Sequence, residues 1–432
     1  MNMTVGNSEE MWGLEVLHHD LHEISKVADK DAKQAESLSI ALEGLLQTSI
    51  ALEGIQELTL QQAGYTIDIL DIGLSRTGLG VEDMYPAVVD DIGGKPSQIN
   101  AEGLLSRFVK HVIEILKRLW NTVLELWTKL SSFSIYSKDI AAKLRAELQA
   151  LKTGKATTEV KTVDIGESAF ALRVTLDSGK IISVQRPKEV IDGLATLAVV
   201  NEAVGDRFIP SIAKAQFALK ETIDSASKTP KGELINVSAG LDKALKELDL
   251  KAISDLTNAH VPPEVAKQLH GEDGLQTFFS PILPGGKLIA INIPAGKTDN
   301  PLMKLSLSVL PLESEDTGSS VATMALADIE KALDGLSDII SYSANVKVIA
   351  FIKKAVTETM DIDKHFAHLL SVRDDFSVTE NVTSVRAIIK SLQHVSQTGF
   401  ALCLGLSKTN ANAIKHGLKV TKLMLKQYSL AA

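Results

Sequence analysis

A mainly α fold with a minor β component (α+β) is predicted by three features of the sequence. Aromatic residues make up only 4% of the chain while alanine and aliphatic residues abound, which suits helices packed by small and branched side chains. Long proline-free stretches carry apolar residues at helical spacing. Seven of the 12 prolines fall between His260 and Pro311, so that region holds short strands and no long helices. The expected architecture is long amphipathic helices, a small hairpin/β module in the middle and a C-terminal helical bundle. With 432 residues two to three domains are expected. Pattern changes divide the chain at 1–102 (acidic helices and a linker), 103–155 (a basic amphipathic helical segment), 156–311 (a mixed α/β middle domain) and 312–432 (the helical bundle).

The first 64 residues look helical in pieces, with an echo of Ser39-Ile40-Ala41-Leu42-Glu43-Gly44 in Ser49-Ile50-Ala51-Leu52-Glu53-Gly54. Each of those glycines costs about 1 kcal/mol relative to alanine, so a helix there opens easily. Gly73 to Asn100 holds five glycines and two prolines with no periodicity. It is a linker that a protease can reach. The N-terminus lacks a positively charged start followed by an apolar block, so no signal peptide is expected and the protein is expected to be made and kept in the cytoplasm, or in something assembled there.

Ala101 to Lys155 differs from everything around it. Apolar residues at Leu105, Phe108, Val109, Val112, Leu116, Leu119, Trp120, Val123, Trp127 and Leu130 mark one helix face. Between them stand Arg107, Lys110, Lys117, Arg118 and Lys129, too many charges for a membrane span. The segment suits an interface: its Trp face either packs on the C-terminal bundle or meets lipid. A break is expected at Ser131-Ser132-Phe133-Ser134, then a second basic helix from Lys138 to Lys152.

Short β-prone runs are expected at Glu159–Ile165 and Ala169–Leu176, and Asp177-Ser178-Gly179 turns the latter into a hairpin with Lys180–Gln185. Helices follow at Lys188–Val204, Phe208–Ala226 and Ser238–Leu248, and strands at Leu288–Ile293 and Lys304–Leu310. No proline occurs in the 121 residues after Pro311. Helices are expected there at Ala325–Ser341, Val346–Val372, Thr379–Gln397 and Lys408–Tyr428. Acidic side chains near the start of the first and lysines towards the end of the last suit the helix dipole.

The charge is unevenly placed. Residues 1–100 hold 17 acidic and 5 basic side chains, a net of −12, whereas the remaining 332 hold 40 basic and 37 acidic, a net of +3. Within the latter, Ala101–Lys155 carries 10 basic and 5 acidic groups. Two differently charged domains, or a shielding and detachable leader, both account for that step.

Chemistry-bearing constellations are sparse. His18, His19 and His22 with Asp20, and His365 and His368 with Asp361, lack a third and fourth ligand at metal-site spacing. Pro284-Gly285-Gly286-Lys287 and Asp177-Ser178-Gly179-Lys180 resemble phosphate loops only superficially, lacking GxxxxGK[ST] and a following helix. The single cysteine, Cys403, sits in an apolar run and reads as a buried thiol. No metal site, cofactor or enzymatic activity is expected.

Glutamates two residues after a small one recur in the leader, as in Ser8-Glu9-Glu10, Gly13-Leu14-Glu15, Ala41-Leu42-Glu43 and Ala51-Leu52-Glu53. Together with the basic Trp-containing segment, the sequence KDIAAKLRAELQALK, the hairpin and the end at Leu425-Lys426-Gln427-Tyr428, this layout resembles the internal head proteins of giant tailed bacteriophages. The resemblance implies a structural, non-enzymatic virion protein. A prohead protease would cut it after the glutamate of small-x-Glu, and it would be packed with the genome in the phage head after assembly in the host cytoplasm. The cleavage candidates it implies are Glu43–Gly44, Glu53–Gly54 and Glu102–Gly103; the last is best placed but has Asn100 two residues before it. The residues it assigns to the interaction helix are Arg107, Phe108, Lys110, Lys117, Arg118, Trp120, Trp127 and Lys129. The partners implied are the protease, capsid or inner head components, and weak, salt-sensitive, non-specific DNA contact. Two other functions remain open: a membrane-active or pore-forming protein that uses the amphipathic helix, or an effector carried in the capsid and injected into the host.

Overall fold

In a computed structural model, the structure describes residues 133–177, 180–229, 237–257, 275–294, 305–315, 318–345, 380–429 and a few helical positions between 348 and 362. These residues are mainly helical with a minor β component, as the composition predicts.

The first helix, α1, covers residues 133–153, so Phe133 and Ser134 are helical and buried. Ser134 lies on the inward face with Ser137, whose hydroxyl donates to the Phe133 carbonyl at 2.9 Å. There follow β1 (Thr162–Asp164), α2 (Glu167–Ala171), β2 (Thr175–Asp177) and β3 (Lys180–Ile182). Where Ala169–Leu176 is expected as one strand, Ser168–Ala171 coil into α2 and only Thr175 onward is extended. Asp164 accounts for the difference: its carboxylate accepts the Gly166 N–H at 2.9 Å, and Gly166, at φ 55°, turns the chain into the helix. The hairpin at Asp177–Lys180 is present, with Leu176 opposite Ile181.

Next come α3 (Pro187–Glu202) and α4 (Ile209–Lys228), expected as two helices and observed as one rod joined by a π-helical turn, Ala203–Phe208. Pro210 explains the wider turn. It has no N–H for the Asp206 carbonyl and its ring crowds that oxygen, and the Ile209 N–H reaches back five residues to Val204. Helix α3 starts cleanly because Glu189 accepts the backbone N–H groups of Gln185 and Arg186 at 2.7 and 3.0 Å. After α5 (Val237–Lys246), Asp249 caps α6 (Leu250–Ser254) by accepting the Ala252 N–H at 2.9 Å. A 3₁₀ turn, Asp255–Thr257, follows.

Strands β4 (Leu275–Phe279), β5 (Lys287–Pro294) and β6 (Ser306–Pro311) form an antiparallel meander. Ile181, Phe279, Leu288, Ala290 and Leu312 make its core. Two short strands, β7 (Ser314–Glu315) and β8 (Ser320–Ala322), return the chain to β3 and β1. Helix α7 (Leu326–Ser343) then packs along α3. Gly335 permits their close approach: a Cβ there would stand 3.2 Å from the Leu194 Cβ.

The last helix corrects an expectation. Thr379–Gln397 and Lys408–Tyr428 are not separate helices; α8 runs unbroken from Glu380 to Leu425, 46 residues. Its buried positions Leu392, Val395, Gly399, Leu402, Leu406, Thr409, Ala413, His416, Val420 and Met424 step by three or four throughout. That repeat keeps one seam facing inward. Gly399 and Gly405, which look like breakers, are contact points: added Cβ atoms would meet the Ile212 Cδ1 at 2.8 Å and the Val309 Cγ2 at 2.8 Å. Helix α8 touches α2, α4, α7 and β6, so packing passes across position 311/312, and all described residues belong to one compact unit. Backbone bonds between Thr157 and Ser429, both 3.1 Å, join its two ends.

Candidate functional site

The inward seam of α8 carries an unusual number of polar side chains. Ser391, Ser396, Thr409, Asn410, His416 and Thr421 are all buried, and a buried polar group is costly unless bonded. Ser396, Thr409 and Thr421 donate to carbonyls four residues back. Other bonds of the helix reach across the fold. Asn410 and Asn201 of α3 exchange two amide bonds, at 2.9 and 3.0 Å. Gln216 of α4 donates to the Ser396 hydroxyl at 2.6 Å, and His394 bonds the Leu305 carbonyl at 2.7 Å. Each of these bonds forms at one register of α8 only. The seam therefore fixes how the long helix lies against its neighbours.

Ser168 and His416 meet at 3.0 Å between Oγ and Nδ1. A hydroxyl beside an imidazole is the start of a nucleophile–base pair. Ser168 is 0% exposed and its hydroxyl is sealed between α2 and α8, so the contact is a latch. Beside it Lys419 donates to Glu167 at 3.1 Å. That bond, and the nearby charges of Lys419, His416 and Lys415, hold the Glu167 carboxyl below its ordinary range against the opposing effect of burial. Ser168→Ala is expected to cost about 1–3 kcal/mol by leaving the imidazole nitrogen without this partner. A shift of the urea midpoint at constant slope measures it.

Cys403 is buried, and burial pushes its thiol up, away from the reactive thiolate. Across from it, the hydroxyl of Tyr342 on α7 is pressed against Gly205 in the π-helical turn. Burial raises the phenol well above its usual value, with Cys403 and Asp206 adding to the effect. The Pro284–Lys287 segment is a tight turn with Gly285 at φ 86° and Gly286 at φ 65°, closed by bonds between Leu283 and Lys287 and followed by β5.

An open groove of about 470 Å³ runs over α3, floored by Ala195, Val199, Val200, Leu256 and Pro281 and edged by Asp255. Asp255 also faces Arg207, which binds Asp249 at 3.1 Å. No group of three or more metal-ligating side chains converges among the described residues, and no helix among them is long and apolar enough to cross a membrane.

The sequence-derived sites lie outside the described residues. These are Glu43, Gly44, Glu53, Gly54, Glu102 and Gly103, the interaction helix from Arg107 to Lys129, and both histidine clusters. Sequence reasoning missed the polar seam. Its signal was present: Thr409 and His416 occupy core positions of a three-four repeat, with Asn410 beside them. No family model matches this sequence, and comparison with curated proteins and with solved structures finds no similar chain.

Proposed function

We propose that this chain is a structural, non-enzymatic internal head protein of a giant tailed phage, matured by a prohead protease and packaged with the genome. The observation that carries the proposal is the distribution of small-x-Glu. Of the nine glutamates in residues 1–100, five follow Ala, Gly or Ser at two residues' distance: Glu10, Glu15, Glu43, Glu53 and Glu82. Of the 18 glutamates from Glu102 to Glu380, none does. A protease with that specificity would take the leader apart and spare the body. A cut after Glu82, the last of the five, would remove a net charge of −10 and leave a body of +1 in place of −9, which tolerates close packing with phosphate better than the whole chain does. A body whose long helix is held in register by buried bonds fits a part that must survive compression.

N-terminal mass spectrometry of the protein from purified particles tests the proposal. A mature start at Gly44, Gly54 or Asp83 is expected, or at Gly103 if the protease also accepts Asn100 two residues before Glu102; an intact Met1 in particles would overturn it. The amphipathic segment Phe108–Trp127 favours one rival, a membrane-active protein. Binding of the processed form to lipid vesicles, without processing in particles, would select that rival.

A further inference from the structure

The less buried side of α8 has a charge pattern that its inward seam does not explain. From Asn381 to Ala432 the chain contains no aspartate or glutamate, while Arg386, Lys390, Lys408, Lys415, Lys419, Lys422 and Lys426 are basic. In a chain with 54 acidic residues among 432, a stretch of that length would hold about six at the average density, so the segment is unusually free of negative charge. The five lysines from Lys408 onward are spaced seven, four, three and four apart. At about 100° per residue they fall within an arc of about 60°, and at about 1.5 Å per residue they form a line about 27 Å long. The bond from the Lys426 N–H to the Lys422 carbonyl, 3.1 Å, carries the line past the helix end.

Lys408, Lys415 and Lys419 are half-buried and Lys426 is exposed, whereas Lys422 is only 8% exposed. Among the described residues, the carboxylates that act on this ridge include Glu167 of α2, shared by Lys415 and Lys419, and Glu147 of α1, which acts on Lys422. Burial, and then the charge of Lys426, push the Lys422 ammonium down.

We propose that this lysine ridge is a contact for the phosphate backbone of double-stranded DNA, made without regard to base sequence. Lys408, Lys415, Lys419 and Lys426, in file on a straight rod with the buried Lys422 adding its charge from beside them, suit a regular line of phosphates. A lipid surface is the poorer match, because basic helices bind membranes through apolar side chains beside their charges. None of the large exposed apolar side chains among the described residues (Ile135, Val160, Val199, Phe217, Leu250 and Phe351) lies on α8. The inference deepens the proposed function by naming the surface that meets the genome. The two fail separately, since the N-terminus found in particles says nothing about this ridge.

The test is fluorescence anisotropy of the full chain with a labelled duplex of about 30 base pairs and arbitrary sequence, at 50 and 200 mM NaCl. If about four phosphates are neutralised, affinity falls about 100-fold between those salts. Lys415→Gln, Lys419→Gln and Lys426→Gln together are expected to reduce the slope of log K against log salt by about 3, and the three arginine replacements to keep it. Should the glutamine triple fail to fold, Lys426→Gln alone, exposed and past the helix end, is expected to reduce the slope by about 1. A matched triple at the exposed Lys188, Lys214 and Lys251 is expected to leave it unchanged. Three results would overturn the assignment: no binding at 50 mM NaCl, equal loss from the matched triple, or a ridge variant that loses binding to phosphatidylserine vesicles while keeping DNA.

Discussion

Replacing Gly205 with alanine is expected to destabilise the protein by about 3 kcal/mol, the upper range for overpacking. Elsewhere in a helix the same change stabilises by up to about 1 kcal/mol, so the sign is the diagnostic. An added Cβ at Gly205 would run into the hydroxyl, Cζ and Cε2 of Tyr342. That ring is the rigid end of a side chain on α7, facing Asp206 and the buried Cys403. Urea unfolding of Gly205→Ala measures the cost. The same substitution on a Tyr342→Leu background is expected to be close to neutral, because the colliding atoms are gone. A Gly205→Ala protein as stable as the parent would mean that Tyr342 swings aside at no cost, and that the π-helical turn does not depend on a glycine at this point.

The second large effect is expected at the Asn201–Asn410 pair. Each amide is the other's donor and acceptor, both are buried, and α3 and α8 meet there. Removing either alone strands the partner's N–H and carbonyl in a dry environment. Asn201→Ala and Asn410→Ala are therefore each expected to cost about 2–3 kcal/mol, part of it from the desolvated orphan. Replacing both by leucine removes every stranded group and is expected to cost less than the sum of the singles. A double-mutant cycle read from urea midpoints should show a coupling of about 1–2 kcal/mol. Strict additivity would show that the two amides are satisfied independently, and that they do not set the register of α8.

The mainly helical character with a small β module was legible because proline placement and apolar spacing act locally. Pro187 opens α3, the crowd of prolines between His260 and Pro311 coincides with β4 to β6, and the Asp177–Lys180 turn makes its hairpin. The errors arose where tertiary contact overrides a local signal. The gap expected between Gln397 and Lys408 contains Gly399 and Gly405, and glycine lowers helix propensity. Each instead gives room to a neighbour, Ile212 and Val309, that the local sequence cannot reveal. The three-four repeat from Leu392 to Met424 ran straight through them and was the better guide. The π-helical turn was hidden for a similar reason: Pro210 signals a boundary, and only the packing of Gly205 on Tyr342 shows that the rod continues. Ser168 and His416 stand 248 residues apart, so no motif spacing connects them. The ridge on α8 was readable from sequence alone as an acid-free stretch, but its alignment needed the helix to be continuous.

The position of α8 in the chain also constrains how the protein is born. This helix supplies a wall for α2, α4, α7 and β6, yet it follows all of them in order of synthesis. At a ribosome speed of about 5–20 residues per second, the stretch from Glu167 to Glu380 waits tens of seconds for the partner that covers its apolar faces. The antiparallel meander and the α3–α7 contact can form in that interval, but Leu392 to Met424 must then dock as one piece, and the clasp between Thr157 and Ser429 closes last of all. A nascent chain stalled before Gly399 would lack the wall that α8 supplies, leaving the faces of α2, α4, α7 and β6 that it covers without their partner.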